Sequence, residues 1–384
     1  MRSWTAFALL LASACAPDVA TRAASSTGEG PVPQSVSPIF NQTERDPTEI
    51  YDPPSATTRM TVGHRLDFPS DFQLLLTPSV VQRLTDRTYW IGISVYQSLA
   101  YVGDHGVLLI DCAGPLGVDF GQTLIDAVAS ITPLPITHVV YSHAHTDHVG
   151  ACMVLQQRNP SLEIIASEAT ADEIDRYQLP IARPTRVIKN RYSGFNFEGR
   201  RFRMVTPVPV AHTTGDTYIV TPDRVLHAVD FVHPGELPFV NTMNNQNLDG
   251  YITFLRHLAG ERENYDFASW GHLNVGYASD VDLTLDYFRT LYEAWWPTFL
   301  ANTPDHFVDP TNDNAAVWFR NFYDGMAEGL FYAAAPAFGD VRMIELGRDH
   351  ALRVQIFMYT SRFNPFTGQP PTLPSFDPIP PRYE

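Results

Sequence analysis

The chain has 384 residues, 44% hydrophobic and 18% charged, with 42 acidic against 26 basic side chains and a formal net charge of -16 at pH 7. So acidic a surface repels phosphate backbones and argues against nucleic acid as a partner, which leaves a small-molecule substrate as the expectation. No run of about 18 apolar residues is present to span a bilayer, and the length suits one or two domains.

In chain order, MRSWTAFALLLASACAPDVA places Arg2 before an apolar stretch and ends it with Ala12-Ser13-Ala14, the layout of a secretory signal peptide over residues 1–16. Cys15 follows at once and also fits a lipobox, in which an acylated cysteine anchors the mature chain to a membrane. A periplasmic or secreted protein is expected on either reading. Residues 17–58 are rich in Pro, Ser, Thr and acidic side chains and predict a linker or a surface-wrapping arm, with a glycosylation sequon at Asn41. Only Cys112 and Cys152 then remain, too few for a disulfide framework, and two free buried thiols are expected.

VVQRLTDRTYWIG, SVYQSLAYVGDHG and VLLIDC read as three strands, and VDFGQTLIDAVASI as a helix with Phe120, Leu124, Ile125 and Val128 on one face. ITHVVYSH is a β-branched strand, followed by a helix through ACMVLQQRN. The alternation continues with EIIAS (strand), EATADEIDRYQ (helix), RFRMVTPVPVAH (strand), DTYIVTPDRVLHAVD (two strands), LDGYITFLRHLAGE (helix) and YDFASWGH (strand). Strands thus fall in two groups, each followed by helices, which predicts an α/β fold. Two long helical segments follow, crowded with aromatic residues such as Trp295, Trp296 and Trp318, and are expected to fill a core or to pair two copies in a homodimer. The tail from Asn364 is proline-rich and extended.

The chemistry concentrates in HAHTDH. His143 and His145 alternate on extended backbone and point the same way, so they can grip one ion, while Asp147 and His148 in the following turn can face another. Further ligand-type residues stand at other strand ends: His212, Asp230 and His272. This set, HxHxDH followed by separated His, Asp and His, resembles the metallo-β-lactamase superfamily over roughly Val80 to Tyr292, and Asp111 in VLLID matches the family's aspartate that supports the metal loop.

The resemblance implies a four-layered αββα sandwich over residues 59–295, with residues 296–384 as a helical extension and proline-rich tail. It implies two Zn²⁺ ions, with Fe or Mn as other candidates: one on His143, His145 and His212, the second on Asp147, His148 and His272, and Asp230 bridging. An aspartate bridge is similar to that of glyoxalase II, lactonases and phosphodiesterases. The implied reaction is attack of a hydroxide held between the ions on an ester, lactone, amide or β-lactam carbonyl, with Asp147 in the catalytic set. Where related lactonases carry a tyrosine three residues past the bridging aspartate, this sequence has His233, an expected donor of a hydrogen bond or proton. A mononuclear iron persulfide dioxygenase and a phosphodiesterase are the alternatives within the fold. His227, inside a strand, reads as structural; His64, His105, His257, His306 and His350 have no ligand-like setting.

Overall fold

A computed structural model describes residues 48–68, 77–115, 118–234, 237–238, 245–308, 311–312, 314–338, 347–364 and 367–382. The expected signal peptide, Cys15 and Asn41 lie outside the described residues. Strands β1 (Tyr51–Asp52) and β2 (Arg65–Leu66) form a small parallel pair. Strands β3 (Val80–Arg83), β4 (Thr88–Ile93), β5 (Tyr96–Val102) and β6 (Val107–Ile110) then run as an antiparallel meander. Helix α1 (Val118–Ile131) crosses to β7 (Ile136–Val140), which lies parallel to β6.

After β7 come the single turn α2 (Thr146–Val149), α3 (Cys152–Arg158), β8 (Glu163–Ser167), α4 (Glu168–Tyr177) and β9 (Arg186–Ile188); β8 and β9 extend the sheet in parallel. Ser167 caps α4 by accepting from the Thr170 amide. A second sheet holds β10 (Tyr192–Phe197), β11 (Arg200–Val205), β12 (Tyr218–Val220), β13 (Val225–His227), then, after α5 (Leu248–Gly260), β14 (Phe267–Ser269) and β15 (Val275–Gly276). Its pairs are antiparallel except β13–β14, which the α5 crossover makes parallel. Helices α6 (Ala278–Ala301), α7 (Ala315–Phe338) and α8 (Gly347–Phe357) follow.

Alternation along the strands produces the layers, because successive side chains leave opposite faces of a sheet. In the first sheet Leu109, Val139 and Ile164 pack with Leu124 and Val128 of α1 and Leu155 of α3. Their neighbours Leu108, Ile110, Val140 and Ile165 turn the other way and meet Phe202, Met204 and Ile219 of the second sheet. The far face of that sheet, through Tyr218, Val220 and Leu226, packs on Tyr251, Phe254 and Leu258 of α5 and on the C-terminal helices. Helix, sheet, sheet, helix is the αββα sandwich, with α6 to α8 added on the second helical side.

Several local expectations change. VVQRLTDRTYWIG is two strands, β3 and β4, separated by a turn closed by the Leu84 amide on the Thr88 carbonyl. RFRMVTPVPVAH is a strand only to Val205, since Pro207 and Pro209 offer no amide to a ladder. β10, in YSGFNF, was not anticipated. The free-thiol expectation is overturned: Cys112 and Cys152 form a disulfide. Residues 48–58 behave as a wrapping arm, with the Ser55 amide on Gln82 Oε1 at 2.8 Å. The aromatic C-terminal segments are helical and fill a core, with the Trp295 ring buried and stacked on Phe299 at 5.1 Å between centroids; α6 itself runs across residue 295. Among the described residues no helix is long and apolar enough to cross a membrane.

Candidate metal centre

The strand ends of both sheets converge on one point. From the first sheet, the chain leaving β7 carries His143 and His145 on a non-helical segment, and α2 then turns Asp147 and His148 back toward it. From the second, His212 follows β11, Asp230 follows β13 and His272 follows β14. The structure brings these residues into two groups, His143, His145, His212 and Asp230 in one and Asp147, His148 and His272 in the other, with ligand atoms in each group within 4.8 Å of one another.

Asp230 faces both groups. Its Oδ1 lies 3.3 Å from His148 Nε2 and 3.1 Å from His272 Nε2, while its Oδ2 lies 3.4 Å from His143 Nε2 and 3.1 Å from His212 Nε2. Two donors held about 2.0–2.1 Å from one tetrahedral ion stand about 3.3 Å apart, so this spacing fits ligands sharing a cation. His143 Nε2, His272 Nε2 and Asp230 Oδ1 are buried without a hydrogen bond, which is the condition of lone pairs kept for a metal, and His148 Nε2 is buried without one as well. The residues present therefore fit the implied divalent ions.

Electrostatics agree with that reading. Burial raises the Asp230 carboxyl, but the imidazoles of His148, His143 and His212 hold it well below the usual carboxylate range. Burial pushes His148 down, yet Asp230 and Asp147 carry it up to about 10. Burial together with His143 and His212 pushes His145 down to about 3, leaving a neutral imidazole. Asp147, the most solvent-facing carboxylate of the set, is lowered by His148 and His272 against the opposing effect of burial.

A hydrogen-bonded frame orients the ligands. Asp111 accepts the Ser142 amide at 2.8 Å, the Ser142 hydroxyl at 2.6 Å and His227 Nε2 at 2.9 Å. Because the Ser142 proton is committed to Asp111, Ser142 Oγ accepts from His143 Nδ1 at 2.9 Å, and His143 keeps Nε2 as its free lone pair. His272 donates Nδ1 to the Val95 carbonyl at 3.1 Å, which likewise frees Nε2. The Cys112 amide binds the His148 carbonyl and the Gly114 amide binds the Asp147 carbonyl, each at 2.9 Å, so α2 is fastened to the end of β6 beside the disulfide.

Backbone strain is gathered here. Ser94, Asp111, Asp230 and Leu273 all adopt positive φ, between 55° and 70°, which a non-glycine residue holds only when its surroundings over-determine it. Gly271, at φ 91°, precedes His272 where a Cβ would lie 2.5 Å from Val229 Cγ1.

His233 is buried, its ring parallel to that of His272 within 11° at 6.3 Å, and burial with His272 pushes it down to about 3. Ser142 and Tyr96 join the site unexpectedly, Ser142 through His143 Nδ1 and Tyr96 by packing on the His148 and His272 imidazoles, while His227, expected to be structural, is a buried strand residue that partners Asp111. Only Ser142 had a sequence cue, its place directly before the histidine cluster.

Among solved structures, a metallo-beta-lactamase from Pontibacter korlensis is similar at 16% identity and a TM-score of 0.44, covering 53% of this chain and 94% of that one. DIM-1 metallo-beta-lactamase is similar at 14% identity and a TM-score of 0.46, covering 54% and 95%. The metallo-beta-lactamase superfamily sequence model matches residues 93–301, more than half of the chain and all seven converging side chains, and the protein belongs to that superfamily.

Proposed function

We propose that the protein is an exported dinuclear zinc hydrolase acting on an ester, lactone, amide or β-lactam carbonyl. The observation that carries this reading is Asp230, which turns one carboxylate oxygen to each ligand group. His143, His145 and His212 would hold one ion, Asp147, His148 and His272 the other, and Asp230 both. When bound, such ions supply a water acidic enough to ionise near neutral pH and a Lewis acid for the carbonyl. The chain's own part is to hold neutral imidazole lone pairs in place through Ser142 and Val95, and to keep Asp147 ionised at the solvent-facing side as acceptor for the proton of the attacking water.

Export, with a lipid anchor through Cys15 as one form of it, belongs to the same proposal. The Cys112–Cys152 bridge supports it, since such bonds persist in oxidising compartments. The test is elemental analysis of the purified protein together with an assay on ester, lactone, amide, β-lactam and phosphodiester substrates, for the native chain and His145→Ala. Two zinc ions per chain and carbonyl hydrolysis that His145→Ala loses are expected. One iron with oxygen consumption, phosphodiester cleavage alone, or full activity in His145→Ala would overturn the reading.

A further inference from the structure

The proposed reaction gathers negative charge on the substrate's carbonyl oxygen, and the ligand set contains no neutral donor for it. His233, which the sequence offers for that task, is buried against the ring of His272. A different residue, Tyr96, packs directly on the group formed by Asp147, His148 and His272.

Tyr96 occupies the tip of the β4–β5 hairpin. Its ring meets His148 edge-on at 6.0 Å between centroids and leans on His272 at 5.4 Å, so it packs on two side chains of the same ligand group. Phe120 supports its other side, edge-on at 6.1 Å. The tip is bolted to the loop that carries His272. Tyr96 pairs with His272 in an antiparallel bridge, the Gln97 amide binds the Gly271 carbonyl at 3.0 Å, and the Val95 carbonyl accepts from His272 Nδ1. The Gln97 side chain adds bonds to the Asn274 carbonyl at 3.2 Å and from Ser269 Oγ at 2.9 Å. Ser94, at φ 55°, makes the tight reversal that sets Tyr96 in this position.

Held so firmly, the phenol has no bond of its own: its hydroxyl makes no hydrogen bond among the described residues. It is not sealed off either, unlike the buried, unbonded hydroxyls of Tyr265 and Tyr292. A half-buried phenol fixed against two ligand imidazoles, with a free donor that reaches solvent, is in the condition of a group awaiting a substrate oxygen.

We propose that Tyr96 is a catalytic residue whose hydroxyl donates a hydrogen bond to the substrate carbonyl oxygen as that oxygen gains charge beside Asp147, His148 and His272. The proton stays on the phenol; the bond strengthens as charge develops and weakens as product leaves. The assignment rests on the hydrolase reading above, and it predicts an effect on turnover rather than on metal binding.

The experiment compares the native protein with Tyr96→Phe, which keeps the ring and its packing. Zinc content by elemental analysis and the melting temperature are expected to stay unchanged, while kcat on the best ester or lactone of the panel falls about 10²-fold with KM within a factor of about three. Phenylphosphonate, a tetrahedral anion titrated calorimetrically into the zinc-loaded protein, should bind about tenfold more weakly to Tyr96→Phe. Unchanged kcat and unchanged phenylphosphonate affinity would overturn the assignment while leaving the hydrolase reading intact, and a rise in KM alone would overturn it as well. Native protein that takes up no zinc, or cleaves no substrate of the panel, would remove both.

Discussion

The Ser142 hydroxyl lies 2.6 Å from Oδ2 of Asp111, inside the protein and out of reach of water. That one bond decides which nitrogen of His143 is left for an ion, because it leaves Ser142 Oγ able only to accept from His143 Nδ1. Replacing Ser142 with Ala removes this acceptor and deprives a buried carboxylate of a donor. Zinc affinity should fall about 10–100-fold, the usual effect of losing a group that orients a ligand. Competition against a chromophoric chelator measures it, and an affinity equal to the native protein's would refute the tautomer argument.

Metal binding should release protons. In the metal-free protein burial works against the charged form of His148, but Asp230 and Asp147 prevail and hold it at about 10, so it is protonated at pH 7.5. Its folded value is thus raised above the ordinary histidine value of about 6.5. The stability that this pairing gives the metal-free chain is full below about pH 6.5 and is lost as the pH climbs through the folded value. Zinc must displace the proton, so affinity should rise with pH below that value. Calorimetric titration in buffers of different ionisation heat should show at least one proton released per chain at pH 7.5, and a count of zero would sink the prediction.

The Cys112–Cys152 bond joins residues 40 apart in sequence, and the segment it closes contains His143, His145, Asp147 and His148. Changing both cysteines to Ser should cost about 2–4 kcal/mol in urea unfolding, chiefly by freeing the unfolded chain. Zinc affinity should drop too, since the Cys112 amide and the His148 carbonyl are bonded. Equal unfolding midpoints for the native and double-Ser proteins would show that the bridge contributes nothing.

Arg65 is buried and binds both the Val275 carbonyl and Asp280 Oδ2 at 2.9 Å, with Glu49 at 3.1 Å. It pins the arm to the start of α6, where Asp280 also accepts the Tyr277 amide at 2.7 Å. Arg65→Ala strips buried Asp280 of its guanidinium partner and should destabilise by about 3–5 kcal/mol. Adding Asp280→Asn should recover part of that loss; purely additive costs in a double-mutant cycle would contradict the coupling.

The seven converging histidines and aspartates were legible as a cluster because each stands at a strand end whose apolar run is itself readable, and because four of them crowd into HAHTDH. Layering was legible for a similar reason, as in VLLI, where neighbouring residues serve opposite faces. The disulfide was not: Cys112 and Cys152 come together only once β6 and α3 are packed around α2. Tyr96 was hidden for the same cause, since SVYQS reads as an ordinary strand until its tip is paired with the loop around His272. β10 was obscured because YSGFNF mixes polar residues and glycine into a strand that gains its partner only from β11.

The seven converging side chains come four from one sheet and three from the other, yet the main chain passes between those sheets only through the short link from β9 to β10. A cation held by both groups would therefore act as a tie-bolt across a seam. Its withdrawal would be felt first as slackness between two layers that are each still intact, and a chelated sample should exchange amide hydrogens faster along that seam while the two helical flanks stay protected.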